Sequence, residues 1–252
     1  MREFKDVVIV ILAHDEVKSL RETVEGLVSL CSVDDLEQII IFLAPNATPE
    51  CSAMAQTLSE DLQGVRVRVV KQIKRIGLRE MQDVLAAQSN ASHAMFISSD
   101  LEIPLPTFAQ MITESKHNPD ALISLSRWKK GGGFNDYPKW QLLLHYIFQK
   151  IVRVLYQNRK LTDATAGYTM MPNDILVNLN LRETNLSIML EYKLCSLRLG
   201  LPLVELPAQY QTRKEGQSAN SFLQKFNYFL PLFRVRFTPK NQLLREKGAE
   251  HA

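Results

Sequence analysis

Cysteine is scarce in this chain of 252 residues: there are three, Cys31, Cys51 and Cys195. Their spacing fits neither a metal-binding nor a redox motif. That excludes thiolate metal sites and a disulfide-stapled fold, and the odd, scattered set suits a reducing compartment. Long apolar runs are missing as well. No segment approaches the roughly 18 consecutive apolar residues that span a bilayer. The run Val7–Ala13 is too short for a signal-peptide core, and it is bracketed by Asp6 and by His14, Asp15 and Glu16, so it reads as a buried first strand of a cytoplasmic protein. There is no internal repeat, no low-complexity linker, and no recognition motif of a nucleic-acid-binding class.

What is present is the composition of a globular enzyme, 46% apolar and 23% charged, long enough for one large domain or two small ones. The net charge is only +3, but it is unevenly spread. Residues 127–160 carry eight Lys/Arg and one Asp, and residues 213–247 carry eight Lys/Arg and two Glu, which leaves −10 for the remainder. Two basic stretches on a mildly acidic body point to an anionic partner: phosphate, a membrane surface or nucleic acid.

The first half alternates apolar runs with helical periodicity. Strands are predicted at Val7–Ala13, Gln38–Leu43, Val65–Val70, Ala94–Ile97 and Ala121–Ser126. Helices are predicted at Val17–Leu30, at Pro49–Leu62 with Thr48 as cap, at Gly77–Asn90, and from the Pro104/Pro106 pair to about His117. This alternation implies an α/β fold with a mostly parallel, doubly wound sheet, whose ligands sit at the carboxyl ends of the strands. Three segments of interest fall at such ends: residues 14–16, residues 98–102, and Arg127 onward. The second half is less regular.

Asp100 and Glu102 follow a buried strand and precede a proline-started helix. Hard divalent cations take one or two carboxylates plus substrate phosphates, so this turn suits a cation shared with a diphosphate. The other reading is a solvated turn whose acid caps the next helix. The segment S-R-W-K-K-G-G-G at 126–133 joins three cations to three glycines. It reads as a phosphate-binding loop that approaches its ligand closely, or as a flexible surface loop.

Beyond it, Trp140, Leu143, Leu144, Ile147, Ile151, Val154 and Leu155 recur at helical spacing, with Lys150 and Arg153 alongside. Residues 221–237 repeat the mixture: Phe222, Phe226, Phe229, Leu230 and Phe233 share a face, near Lys225, Arg234 and Arg236. Cations beside an aromatic-rich apolar stripe fit a helix lying in a membrane interface, with Lys150, Arg153, Arg234 and Arg236 meeting lipid phosphates. Core packing and a dimer seam are the alternatives.

Taken in chain order, these segments resemble inverting GT-A glycosyltransferases of family two, and more narrowly the dolichol-phosphate mannosyltransferases and related polyprenyl-phosphate glycosyltransferases. V-I-V-I-L-A-H-D-E at 8–16 looks like their opening strand, and I-G-L at 76–78 like their glycine turn. S-S-D-L-E at 98–102 sits where they carry a D-x-D metal motif. S-R-W-K-K-G-G-G resembles their S-R-Y-x-K-G-G-G, and D-A-T-A-G at 163–167 their D-x-T-S-G. E-L-P at 205–207 and R-K-E-G-Q-S at 213–218 are similar to their E-V-P and R-x-x-G-x-S-K. The chain departs from the pattern at four places. Leu43-Ala-Pro-Asn-Ala-Thr48 replaces an Asp-Asp-Gly-Ser turn, Ser98 the first acid of D-x-D, Ala219 a lysine and Gln141 an arginine.

The resemblance implies a Rossmann-like GT-A domain over 1–220 with a C-terminal amphipathic basic segment over 221–252. It implies inverting transfer of a sugar from a nucleotide-diphosphate donor to a polyprenyl, dolichyl-like phosphate, carried by Asp100, Arg127 and Asp163. The donor contacts would be Ala13, His14, Glu16, Gly77, Ser98, Asp100, Arg213 and Ser218, and the acceptor contacts Arg127, Lys130, Gln141 and Thr165. Asp100 and Glu102 would hold Mg²⁺ or Mn²⁺. The chain would be peripheral at the cytoplasmic membrane face, with a membrane-protein partner or a second copy of itself. Two rivals remain. One is a family-two transferase using a hydroxyl acceptor, with Asp163 or Glu191 as base. The other is a degenerate homologue that binds nucleotide-sugar or membrane without catalysis.

Overall fold

The computed structural model describes residues 2–73, 78–135, 137–183, 186–215 and 228–245. Two expected donor contacts, Gly77 and Ser218, lie outside the described residues, as do 221–227 of the second basic stretch and 246–252.

Seven strands form one sheet: β1 (Val7–Ala13), β2 (Leu36–Leu43), β3 (Val67–Lys71), β4 (His93–Ser98), β5 (Leu122–Ser126), β6 (Thr169–Pro172) and β7 (Leu203–Pro207). Their spatial order is β3-β2-β1-β4-β6-β5-β7. All pairings are parallel except those of β6, which runs antiparallel between β4 and β5. The sheet is therefore mostly parallel, as the alternation of elements implies. Strand β1 is a solid apolar run because both its faces are covered. Val7, Ile9, Ile11 and Ala13 enter one core, while Val8 and Val10 enter the other.

The helices are α1 (Lys18–Leu30), α2 (Pro49–Asp61), α3 (Leu78–Gln88), α4 (Pro106–His117), α5 (Lys139–Tyr156), α6 (Asn173–Asn178), α7 (Ile188–Leu199) and α8 (Phe229–Phe237). The Thr48 hydroxyl accepts from the Cys51 amide at the start of α2, as its Thr-Pro sequence predicts. Helix α7 carries no amphipathic signal because it is buried on every side from Ile188 to Ser196.

The C-terminal stretch joins the main core: Leu232, Val235 and Leu243 pack into the cluster that contains α7. This corrects one expectation. Arg234 does not face outward toward lipid. Its guanidinium lies 2.7 Å from Glu183 and 2.6 Å from Glu191, two buried carboxylates that need a cation.

Candidate active site

The acidic turn closes strand β4. Ser99 donates its hydroxyl to the Leu12 carbonyl, which ties the turn to the neighbouring strand end. Leu101 adopts a left-handed backbone, φ 55°, with its side chain buried. That conformation costs a non-glycine residue on the order of 1 kcal/mol. The bend folds the turn back on itself, so the Glu102 amide donates to Asp100 Oδ1 at 3.1 Å. Ser98 Oγ accepts from the Asp100 amide at 3.4 Å, so this hydroxyl serves the turn.

Both carboxylates meet Arg213. Its Nε lies 3.3 Å from Asp100 Oδ2, and its Nη2 lies 3.6 Å from Glu102 Oε2. Burial pushes the Glu102 carboxyl above its ordinary range, opposed by Arg213 and reinforced by Asp100. Burial likewise works against the charge on Arg213, but Asp100 and Glu102 outweigh it and hold the guanidinium more firmly protonated. The main chain follows the same path: the Gln211 amide donates to the Glu102 carbonyl and the Lys214 amide to the Asp100 carbonyl.

At the end of β1, the Ala13 and His14 carbonyls accept from the Ala44 and Thr48 amides. Glu16 turns back on this loop, its Oε2 accepting from the His14 and Asp15 amides at 2.8 and 3.2 Å. In this structure its carboxylate stabilises the turn. His14 Nε2 is buried without a hydrogen-bond partner among the described residues.

A second charged centre sits at the end of β5. Arg127 and Asp163 form a buried two-pronged pair, Nε to Oδ2 at 2.7 Å and Nη2 to Oδ1 at 2.8 Å. Nη2 also donates to Thr165 Oγ1, which Gln149 reaches from α5. Burial alone would raise the Asp163 carboxyl, but Arg127 overrides it and brings its pKa down to about 2. The loop carrying Asp163 is held from two sides. Glu205 accepts from the Thr162 and Asp163 amides, and the buried Lys193 ammonium donates to the Asp163 and Ala166 carbonyls. Burial lowers the Lys193 pKa to about 8, with Asp163 and Glu205 opposing the shift.

The glycines after Arg127 lie at close contacts within the protein itself. A Cβ on Gly132 would stand 2.4 Å from the Ser126 carbonyl, and Gly133 exchanges main-chain hydrogen bonds with Ala208 and Tyr210. Their missing side chains let protein segments approach each other closely. Lys130 is exposed on this loop, and Gln141 lies in the first turn of α5.

The structure thus gathers Asp100, Glu102 and Arg213 into one group and Arg127, Asp163 and Thr165 into another. Two residues the sequence did not single out lie between them. Tyr168 donates to Asp100 Oδ1 at 3.4 Å and stands 5.8 Å, ring to ring, from Tyr210. Arg127 lies over the Tyr210 ring at 5.0 Å and over Phe134 at 4.8 Å. Burial raises both tyrosine hydroxyls well above their ordinary range, so they are donors at neutral pH. Adjacency offered the only hint: Tyr168 follows D-A-T-A-G, and Tyr210 follows E-L-P by three residues.

No cluster of three or more His, Cys, Asp or Glu side chains that could hold a metal occurs among the described residues. The acidic turn offers two carboxylates already drawn to one cationic group. This donor set fits a hard cation completed by a ligand's phosphates better than an all-protein cage.

The sequence pattern of the family described as glycosyl transferase family 2 matches residues 8–179. No curated protein matches the chain. Among solved structures, it is similar to glucosyl-3-phosphoglycerate synthase from Mycobacterium tuberculosis. In the complex with Mn²⁺, uridine-diphosphate-glucose and phosphoglyceric acid, the TM-score is 0.70 at 15% identity, covering 93% of this chain and 81% of that one. The complex of that enzyme with Mg²⁺ and uridine-diphosphate gives 0.68 at 15% identity, over 93% and 80%. A structure described as a mycobacterial protein gives 0.69 at 15% identity, over 93% and 76%. At this identity the likeness shows the fold.

Proposed function

The chain belongs to glycosyl transferase family 2, and from that footing we propose that it transfers a sugar from a nucleotide-diphosphate donor to a polyprenyl phosphate at a membrane surface, with a divalent cation at Asp100 and Glu102. Two of the similar structures described above hold Mn²⁺ with uridine-diphosphate-glucose and Mg²⁺ with uridine-diphosphate, and the two carboxylates of the acidic turn fit the same use. Bound there, the cation would neutralise charge on the departing diphosphate.

The chain's own residues supply the rest. Arg213, already at the carboxylates, would meet a diphosphate held by the same cation, and its planar fork suits phosphate oxygens. Tyr168 and Tyr210 offer hydroxyl donors between the donor and acceptor sides. Arg127, Thr165 and the exposed Lys130 give the acceptor side its polar lining. The bond broken joins the anomeric carbon to the donor diphosphate, and the bond formed joins that carbon to an acceptor oxygen on the opposite face.

The state of the acids favours an acceptor that is already an anion. A hydroxyl acceptor needs a base. Asp163 is fully engaged by Arg127. Glu191 accepts from the Arg182 and Glu183 amides and pairs with Arg234. A phosphate attacks without either, so catalysis reduces to positioning and charge neutralisation.

The observation that carries the lipid reading is an acid-free apolar face. Helix α5 exposes Trp140, Leu143, Leu144 and Val154, and α8 exposes Leu230 and Phe237. The helices lie side by side, joined by the Phe148–Phe229 ring contact and by Tyr156 donating to the Leu232 carbonyl. No Asp or Glu occurs in 137–162 or in 228–245, whereas Lys139, Lys150, Arg153, Arg236 and Lys240 do. Apolar side chains flanked by cations alone suit an anionic lipid surface. No described helix is long and apolar enough to cross a membrane, so the contact would be peripheral.

A second reading keeps the anionic acceptor and drops the lipid. Phosphoglyceric acid is bound in one of the similar structures described above, and a small phosphorylated acid meets the same requirement for an acceptor needing no base. Labelled sugar nucleotides, Mn²⁺ and either dolichyl phosphate or 3-phosphoglycerate separate the two. Label entering the organic phase supports the lipid acceptor; label entering only phosphoglycerate overturns it.

A further inference from the structure

We propose that Arg213 is the resident cation of the acidic turn, so that a divalent ion enters between Asp100 and Glu102 only as the strap carrying Arg213 lets go. The inference rests on reading Asp100 and Glu102 as the metal-holding pair. Its basis is the position of one guanidinium and the way its segment is fastened.

Arg213 takes one oxygen from each carboxylate, Asp100 Oδ2 at 3.3 Å and Glu102 Oε2 at 3.6 Å. Asp100 is 2% exposed. Its Oδ1 already accepts from the Glu102 amide and the Tyr168 hydroxyl. The oxygen facing Arg213 is therefore the one left for a further cation, and the guanidinium holds it. A divalent ion needs that oxygen at much shorter range, and two cations side by side on one carboxylate repel. The two occupants exclude each other.

The strap, residues 211–215, is fastened at both ends of its course over the site. Beside Arg213, the Gln211 and Lys214 amides bond to the carbonyls of Glu102 and Asp100. Beyond it, Lys214 Nζ lies 2.6 Å from Glu22, and Glu215 caps helix α1. Its Oε2 accepts from the Val17 amide, the Ser19 amide and the Ser19 hydroxyl, at 2.9, 2.9 and 3.0 Å. Val17 itself offers no side-chain cap, so the carboxylate from the strap supplies what the start of α1 lacks. The latch keeps Arg213 over the carboxylates.

The consequence is an exchange. A metal alone must evict Arg213 and strand its charge. A metal arriving with a diphosphate gives Arg213 new oxygens to bind. Metal and nucleotide should therefore bind more strongly together than direct coordination between them explains, and metal alone should bind weakly.

Mn²⁺ alone, titrated into the full chain without nucleotide and followed by the electron paramagnetic resonance of the free ion, tests this. Arg213→Met should tighten Mn²⁺ binding by roughly three- to thirty-fold, the share of a charge-assisted contact that survives partial exposure. Glu215→Ala separates occupancy from plain electrostatics. Removing an anion should weaken cation binding through space, whereas loosening the latch should tighten it. We expect tightening, by roughly two- to five-fold on the scale of a lost cap. Unchanged Mn²⁺ affinity in Arg213→Met, or weaker binding in Glu215→Ala, overturns the exchange. Asp100→Asn is the control for the underlying reading. If it leaves Mn²⁺ binding intact, the ion sits elsewhere and the metal assignment falls, whatever the strap variants do.

Discussion

Arg127 and Asp163 meet through two parallel hydrogen bonds, at 2.7 and 2.8 Å, and the Arg127 amide adds a third to the same carboxylate at 3.1 Å. Neither side chain is more than 6% exposed. Removing one member of such a pair leaves a buried charge uncompensated, which costs about 3–5 kcal/mol. We expect Asp163→Asn to lose that much in urea denaturation. The double variant Arg127→Met/Asp163→Asn should lose clearly less than the two single losses together. A single-variant loss under about 1 kcal/mol would mean the pair is solvated.

The same pair sets an acid dependence. The Asp163 carboxyl is lowered from 3.8 to about 2 by Arg127 acting against burial. A depressed acid contributes stability that is fully present above its unfolded value and is lost as pH falls through its folded one. The advantage of the wild type over Asp163→Asn should therefore be constant above about pH 4 and shrink between pH 4 and 2. Urea midpoints of both proteins across that range check it; a gap that widens toward pH 2 would contradict it.

Arg234 fastens the C-terminal helix from within. It serves Glu183 and Glu191, which are 7% and 2% exposed in their side chains. Arg234→Met should cost about 2–4 kcal/mol, toward the lower end for breaking a buried pair because Arg234 is itself partly exposed. Amide exchange should speed up first over Phe229–Phe237. Uniform protection in the variant would place the clasp's role elsewhere.

The outer face of α5 and α8 should bind anionic vesicles. Binding should rise with phosphatidylserine content, fall with salt, and weaken when Leu230 and Phe233 become Ser, each change removing about 1.5–3 kcal/mol of apolar burial if the side chain is fully inserted. Co-sedimentation measures it. A protein that ignores such vesicles at low salt carries a protein-binding face there instead.

Much of the fold is legible in the amino-acid sequence. Strands β1, β2 and β4 announce themselves as solid apolar runs, and Thr48-Pro49 marks the start of α2. The parallel order then puts residues 14–16, 98–102 and 127 on one edge. Other features were hidden because their causes are distant in sequence. Strand β6 has only four residues and pairs antiparallel with β4 and β5, so it lacks the length and the parallel alternation that reveal the earlier strands. Helix α7 has no polar face to give it periodicity. Glu215 carries no signal of its own in the chain, yet it caps a helix almost 200 positions earlier. Arg234 reads as a lipid-facing cation until its two buried acids are seen. Tyr168, Tyr210 and Lys193 belong to no short motif, and only packing brings them beside Asp100 and Asp163. The glycines at 131–133 were legible as tight spots, but the sequence could not say that the chain itself fills them.

Metal-supported glycosyl transfer centred on Asp100 has a direct assay. Release of nucleotide diphosphate from UDP-glucose and from GDP-mannose, measured with Mn²⁺ and a phosphate acceptor in wild type and Asp100→Ala, tests it most directly. We expect acceptor-dependent release in the wild type with at least one donor. It should be abolished by excess EDTA and restored by Mn²⁺, and it should fall by roughly a hundredfold or more in Asp100→Ala, as for the loss of a charge-stabilising group, in a variant shown by circular dichroism to remain folded at the assay temperature. Full activity in Asp100→Ala, or in the wild type with EDTA, would show that no metal at Asp100 takes part in the transfer.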